Sequence, residues 1–387
     1  MSSLFIKNAS VLTPTLPSTS SNKVNRFSLI IENGRIIEIG DQLKPGKLPI
    51  LDAEGLTLTP GWIDIQLNGA FGLDFTEEPE NIWEAAKKLP ELGVTSFLPT
   101  IISSPLDIPE KAIQILKNKP QGECEASIPI GLHLEGPFLN PGKKGAHNPT
   151  YLLDPSPELV SHWSRDNGVL LVTLAPELDK DHQTIKALRN QKVVVSAGHS
   201  LATYEQANLA FYNGISCGTH LFNAQPTIEH RNPGISIALL NAPEVYTGLI
   251  VDGVHSHPAM VKLAWTSKGA QRFVTVTDAI SALGMPPGNY KLGEFEIIVT
   301  QTKVTLMDGT LAGSNITLGQ SLRNLIAWTG CTLYEAVRTV TATPAELLNL
   351  PSKGRITVGA DADLTLINSN LDILATIVGG KILYKSF

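Results

Sequence analysis

"TPGWIDIQLNG", residues 59–69, is a short strand that ends in two amides. Side chains alternate along a strand, so Gln66 and Asn68 share one face. The strands that follow it in the chain are short, rich in Val, Ile and Leu and nearly continuous, as buried parallel strands are. Two amides at its end need partners or a task, because a buried polar group without a hydrogen bond is costly.

Working outward, the middle of the chain repeats a helix-then-strand rhythm, the pattern of an α/β fold with a parallel sheet. Eight strands are predicted: 62–68, 95–99, 129–135, 170–175, 193–199, 216–220, 247–252 and 273–278. Between them lie helical stretches such as "NIWEAAKKLPEL", "DIPEKAIQILKNK" and "LATYEQANLAFYNG", the last closing on Gly214. Eight such units predict a (β/α)8 TIM-like barrel. "GEFEIIVTQTKVTLMDGTL" follows the eighth strand and predicts a hairpin beside the barrel mouth, with closing helices after it. The two ends differ from the middle. "RFSLIIENGRIIEIG" turns at Asn33-Gly34, a strong hairpin signal, and a second strand pair turns at Gly379-Gly380. Neither set is large enough to fold alone. Both termini together predict one small β-sandwich, giving segments 1–55 and 351–387 for the sandwich and 56–350 for the catalytic barrel.

The bulk properties fit this division. A chain of 387 residues accommodates one barrel of about 250 residues and a smaller unit. A net charge of −6 argues against a nucleic-acid surface. There is no run of about 18 apolar residues, so no membrane span is expected. The N-terminal stretch lacks the basic and apolar regions of a signal peptide. Cys124, Cys217 and Cys331 are few and scattered, which implies no disulfide framework and points to a reducing, cytoplasmic location.

Barrel enzymes carry their chemistry at the C-terminal ends of the strands, and that is where the unusual residues fall. Glu135 ends strand three, His199 strand five, His220 strand six and Asp278 strand eight. Four polar residues terminating four apolar strands would be expensive to bury without mutual partners. Two imidazoles and one carboxylate, with a fourth position left for water, make a catalytic site for one Zn²⁺ or a similar divalent ion such as Fe²⁺, Co²⁺ or Mn²⁺. Asp278 is the remaining carboxylate, placed to take a proton from water. Neutral amides are poor ligands beside imidazole, so Gln66 and Asn68 are expected to hydrogen-bond water or substrate instead. His133 shares a face with Glu135 one layer deeper and reads as support. Cys217 reads as a small buried residue on the opposite face of its strand. His162 and His182 read as solvent-facing helical residues, and His230 and His257 as structural.

At these residues the chain resembles the N-acetylglucosamine-6-phosphate deacetylases of the amidohydrolase superfamily. The matching pieces run in order from "PGWIDIQLNG" through "GLHLEGPFLNPGKKGAHNP", "SAGHS", "GTHLFNA", "RNPG", "DGVH" and "VTDA" to "GTLAGS". The pairing of "HLEGPF" with "THLFNA" is the specific part. The resemblance implies that Glu135, His199 and His220 hold the metal and that Asp278 is the general base, then acid. It implies that His147 hydrogen-bonds the substrate's acetyl carbonyl, beside Ala146. Asn223 and Ala224 would face the sugar phosphate, and Arg231 and His255 would contact the substrate. Leu311, Ala312 and Gly313 would close over the acetyl end. Members with one metal carry the same Gln66 and Asn68 replacement, whereas others keep a His-x-His pair. "VTLAPE" at strand four also lacks the lysine that bridges two metals in binuclear relatives.

The implied reaction is hydrolysis of N-acetylglucosamine 6-phosphate to glucosamine 6-phosphate and acetate, by a protein that is commonly a homodimer. Three other readings stand beside it. One is a deacetylase for another amino-sugar phosphate, such as the galactosamine epimer. Another is a cyclic-amide hydrolase, which would want the strand-one histidines and the lysine. The third is a non-catalytic sugar-phosphate sensor, which should have lost Asp278 or a ligand.

Overall fold

The computed structural model describes residues 3–12, 26–120 and 125–387, so Cys124 lies outside them. Eight strands pair side by side, all parallel: Trp62–Leu67, Val94–Ile102, Leu132–Glu135, Val169–Leu174, Val194–Ala197, Ile215–Gly218, Tyr246–Ile250 and Phe273–Val276. The ring closes where the amides of the first strand meet the end of the eighth. Leu67 bridges Ala279, the Asp278 N–H donates to the Gln66 carbonyl at 2.9 Å, and the Asn68 N–H donates to Ala279 at 2.7 Å. At the other end of this seam, Thr339 and Val340 fill the gap, accepting from the N–H groups of Thr275 and Ile63.

The expected barrel is therefore present, with two differences in its strands. The second runs on to Ile102. The third is interrupted after Ile128–Pro129 and resumes at Leu132. Gly131 sits in the break with φ 151°, and a Cβ there would lie 2.3 Å from Leu170. Pro129 also cannot donate to a ladder.

The lower barrel interior is apolar, filled by Ile63, Ile65, Leu98, Leu171, Ile250, Val274 and Val276. Cys217 is buried in this layer, among the interior side chains rather than on the opposite face of its strand. Above it the lining turns polar. His133 bridges Thr100 and Thr173, at 3.2 and 2.8 Å, and Thr173 and Ser196 both meet the Thr219 hydroxyl. Burial holds His133 down at a pKa of about 4, so it is a neutral strut under the mouth.

The terminal strands form one eight-stranded sheet. Ser3–Val11 pairs with Arg26–Glu32, which turns into Arg35–Gly40 through Asn33 and Gly34. Both turn residues have positive φ, 51° and 74°, as a two-residue hairpin turn requires. The two ends of the chain join where Thr57–Pro60 runs antiparallel to Leu364–Ile367, and Ile373–Val378 and Lys381–Lys385 complete that edge. The sheet wraps its own core of residues from both ends, including Ile6, Leu29, Ile31, Ile36, Leu364, Leu366 and Ile377.

The insert after the eighth barrel strand is a three-stranded antiparallel sheet, Gly288–Leu292, Phe295–Val299 and Val304–Leu306, rather than a single hairpin. It rests against the loop that follows the third barrel strand. Glu294 accepts from Asn148 Nδ2 at 2.9 Å and from the Tyr151 hydroxyl at 2.7 Å. No helix among the described residues is long and apolar enough to cross a membrane.

Candidate active site

Three of the four strand-end residues sit two positions beyond the last paired residue of their strands: His199 after Ala197, His220 after Gly218 and Asp278 after Val276. All three have positive φ, at 49°, 28° and 49°. A non-glycine residue avoids this left-handed region at a cost of about 1–2 kcal/mol. Each backbone thus turns sharply out of its ladder, and each side chain joins the group at the barrel mouth. Such strain is found where function demands a particular aim. The first strand achieves the same end differently, by a register irregularity between Asp64 and Leu67, immediately before Asn68.

Glu135, His199 and His220 converge. Glu135 Oε1 lies 3.2 Å from His199 Nε2 and 3.0 Å from His220 Nε2, and the two imidazole nitrogens are 3.1 Å apart. All three side chains are buried. His199 Nδ1 lies 2.8 Å from the Lys143 carbonyl, which can only accept, so Nδ1 carries a proton. A neutral His199 ring would then turn its Nε2 lone pair toward the Glu135 carboxylate. A cation between the three side chains would meet that lone pair and the carboxylate together. This donor set suits a divalent ion of the zinc type.

Asp278 stands on the other side of the mouth. Its Oδ1 accepts from Asn68 Nδ2 at 2.8 Å and from Gln66 Nε2 at 3.1 Å. Gln66 Nε2 also lies 3.2 Å from Glu135 Oε1, so one amide links the two carboxylates. Burial, reinforced by the Glu135 charge, raises Asp278 to a pKa of about 6, against the pull of His220, His255 and the Asn68 hydrogen bond. At Glu135 burial also opposes ionisation, yet hydrogen bonds and charge from His199 and His220 hold its pKa well below the ordinary range.

His147 enters from the loop after strand three. Its Nδ1 accepts from the Ser103 N–H at 3.2 Å and lies 3.0 Å from the Ser103 hydroxyl. A backbone N–H can only donate, so the ring proton sits on Nε2. Burial, with the neighbouring His199, lowers the pKa of His147 to about 3, leaving a neutral N–H donor. His255 is oriented by Asp252, whose Oδ2 lies 2.7 Å from its Nδ1 and whose Oδ1 accepts the N–H groups of Val254 and His255.

A cavity of about 300 Å³ joins these groups. It is lined by Glu135, His199, His220, Asp278, Asn68, Ala146, His147, Asn223, Ala224, His255, Leu311 and Gly313, as the sequence places them. Three expected residues stand outside the lining. Gln66 is buried and contacts Glu135 and Asp278 rather than the cavity. Ala312 is buried in the apolar layer of the insert. Arg231 is exposed, on a loop where its N–H donates to Glu229.

Ile102, Gly145, Ile280, Leu292 and Thr310 also line the cavity and were not foreseen. Gly145 could have been suspected from "KKGAH": it has φ 55°, and a Cβ there would meet His199 Cε1 at 3.3 Å. Ser103, which sets the His147 tautomer through its backbone, left no signal at all.

The remaining histidines sit away from the cavity lining. His162 is exposed, in a turn rather than a helix. His182 departs from expectation too. It precedes the helix Gln183–Asn190 with φ 54°, and both ring nitrogens are buried. His257 accepts from Ala259 N–H at the start of the next helix, and His230 pairs with Glu229 on the surface.

Residues 57–383 match the amidohydrolase family. The human N-acetylglucosamine-6-phosphate deacetylase is 36% identical over 94% of this chain and 93% of its own length. The deacetylase structure from Pasteurella multocida superposes with a TM-score of 0.89 at 31% identity, covering 98% of this chain and 99% of that one. A mutant Mycobacterium smegmatis deacetylase, determined in complex with N-acetyl-D-glucosamine-6-phosphate, gives 0.88 at 30% identity over the whole of both chains. On this likeness, which spans both the terminal sheet and the barrel, the chain belongs to the amidohydrolase family, among its N-acetylglucosamine-6-phosphate deacetylases.

Proposed function

We propose that this protein hydrolyses the N-acetyl group of N-acetyl-D-glucosamine 6-phosphate, giving D-glucosamine 6-phosphate and acetate. The observation that carries the reading is the pair of carboxylates facing one cavity, Glu135 held by His199 and His220 and Asp278 held by Gln66 and Asn68, with opposite ionisation tendencies. Glu135, His199 and His220 would hold one divalent ion, Zn²⁺ in the first place, with Fe²⁺, Co²⁺ or Mn²⁺ as alternatives. When bound, such an ion supplies Lewis acidity to a carbonyl and lowers the pKa of water toward about 7.

The chain's own groups complete the reaction. Asp278 in its ionised form accepts a proton from the attacking water as the water oxygen bonds to the acetyl carbon. His147 donates its Nε2–H to the acetyl oxygen and stabilises the charge that develops there. Asp278 then delivers the proton to the amide nitrogen, the C–N bond breaks, and the amine and acetate leave. Gln66 and Asn68 hold Asp278 in place by donating to its Oδ1. Asn223, Ala224 and His255 would face the sugar phosphate, and Leu311 and Gly313 the acetyl end.

Arg231 lies outside the cavity lining, so we assign it to the phosphate end of a homodimer, reaching the neighbouring subunit's substrate. Arg231→Ala should raise KM for the phosphorylated substrate far more than it lowers kcat; an unchanged KM would remove Arg231 from the site. A cytoplasmic location and the division into segments 1–55, 56–350 and 351–387 belong to the same proposal.

Acetate release from N-acetylglucosamine 6-phosphate, against the unphosphorylated sugar, tests the reaction. Fast release from the phosphate ester alone supports it. Release from neither, with metal bound, sinks this substrate. Running the galactosamine epimer alongside decides the nearest alternative.

A further inference from the structure

The fourth barrel strand, Val169–Leu174, contributes nothing to the converging group of Glu135, His199 and His220. The chain leaves it through a single 3₁₀ turn, Pro176–Leu178, which carries Glu177. Glu177 Oε1 accepts from Asn140 Nδ2 at 2.9 Å and from the Leu201 N–H at 2.6 Å, and its Oε2 accepts from the Ser200 hydroxyl at 2.6 Å. This carboxylate makes no ion pair among the described residues. Its partners are three neutral donors, and all three lead to His199.

Ser200 and Leu201 directly follow His199 and lock the chain as it leaves the left-handed turn there. Asn140 works from the other side. Its N–H donates to the His199 carbonyl at 2.9 Å, and its Oδ1 accepts from Gly142 N–H at 2.9 Å. That contact caps the turn Pro141–Lys143, which presents the Lys143 carbonyl to His199 Nδ1 at 2.8 Å. One carboxylate therefore anchors both the backbone that aims His199 and the carbonyl that keeps its proton on Nδ1. Nε2 is left with its lone pair, facing the point where Glu135 and His220 converge. His220 has no matching support, since its Nδ1 is buried without a hydrogen-bond partner among the described residues.

We infer that Glu177 is a positioning residue for the metal ligand His199: the strand that supplies no ligand supplies the brace for one. The inference rests on the reading of Glu135, His199 and His220 as the ligand set. Outer groups that orient a ligating imidazole are typically worth 10–100-fold in metal affinity.

The test is a titration of Zn²⁺ into metal-stripped protein against a chromophoric chelator, with thermal unfolding of each metal-free form measured in parallel. Glu177→Ala should bind zinc about 10–100-fold more weakly, with metal-free unfolding little changed. At saturating zinc its KM should match wild type. Glu177→Gln should bind close to wild type. Its amide oxygen can accept from Asn140 and Leu201, and its NH₂ can donate to a reoriented Ser200 hydroxyl. The visible bands of the Co²⁺-loaded forms should differ between the alanine variant and wild type, and agree between glutamine and wild type.

Wild-type affinity in Glu177→Ala overturns the brace. If that variant does not fold, Ser200→Ala removes one contact and should weaken zinc in the same direction; wild-type affinity there overturns the proposal equally. His199→Ala separates the two layers of the argument. Zinc bound by wild type and lost in His199→Ala keeps the ligand reading even if the brace fails, whereas no zinc bound by wild type overturns both.

Discussion

Glu135, buried, and Asp278, half-buried, are carboxylates at the mouth of one barrel, linked by a single amide of Gln66, and they behave oppositely. Glu135 faces two imidazoles, which hold it ionised well below the ordinary carboxylate range. Asp278 faces two neutral amides and the charge of Glu135, and is pushed up to about 6. The difference lies in the company each keeps, since burial opposes ionisation at both. Two acids pushed apart in this way divide the labour, one fixed as a permanent anion and the other able to gain and lose a proton near neutrality. The Gln66 and Asn68 pair explains itself here. Histidines in those two places would sit beside Asp278 and lower it as His199 and His220 lower Glu135. Amides steady it, and the lowering by the Asn68 hydrogen bond is outweighed by burial and the Glu135 charge, which raise it.

The sharpest way to break the contrast is to neutralise each acid in turn. Glu135→Gln should lose the metal and bring turnover to background, read by metal content and acetate release on the same preparation. Asp278→Asn should keep the metal and the fold while losing about 10²- to 10⁴-fold in kcat, the usual span for a general acid–base group. Equal metal loss in both variants would erase the distinction between the two sides. A smaller effect is expected in the pH profile. Asp278 acts as a base in its ionised form, which is depleted as pH falls through its pKa. Thus kcat/KM should drop on the acid side below about pH 6, and a bound cation nearby moves that limb lower still. The smallest effect should come from Asn68→Ala. Removing a hydrogen bond that favours the ionised form raises the Asp278 pKa, so the acid limb should move to higher pH. A limb that stays in place, or moves down, would show that the amides do not tune the base.

Much of this contrast is legible in the sequence. Apolar strands ending abruptly in Glu135, His199, His220 and Asp278 announce both the barrel and its functional end, because burying such groups demands mutual partners. The paired signals Asn33-Gly34 and Gly379-Gly380 likewise announced the terminal hairpins. Other features stayed hidden because they depend on distance across the fold. Ser103 acts on His147 through a backbone N–H, which every residue except proline has. Glu177 touches Asn140 and Ser200, which are separated from it by 37 and 23 positions. Leu292 and Ile102 line the cavity as ordinary apolar residues with no pattern to mark them. His182 shows the opposite error: a surface-like stretch hid a ring whose nitrogens are buried.

The seam of the terminal sheet has a consequence for how the molecule is made. Thr59 donates its hydroxyl proton to the Thr365 carbonyl across 306 positions of chain. At about 5–20 residues per second of synthesis, the strand Thr57–Pro60 waits roughly 15–60 s for its partner. During that interval the half-sheet from the N-terminal side carries an open edge, the kind of surface that invites pairing with other chains. In the barrel, by contrast, each strand up to the eighth pairs with the one made just before it, a few tens of residues away, and only the closing seam of first strand against eighth spans the sequence. A ribosome-bound chain stalled before residue 364 should therefore show an N-terminal segment open to protease. That sensitivity should close only once the strands through Lys385 have emerged.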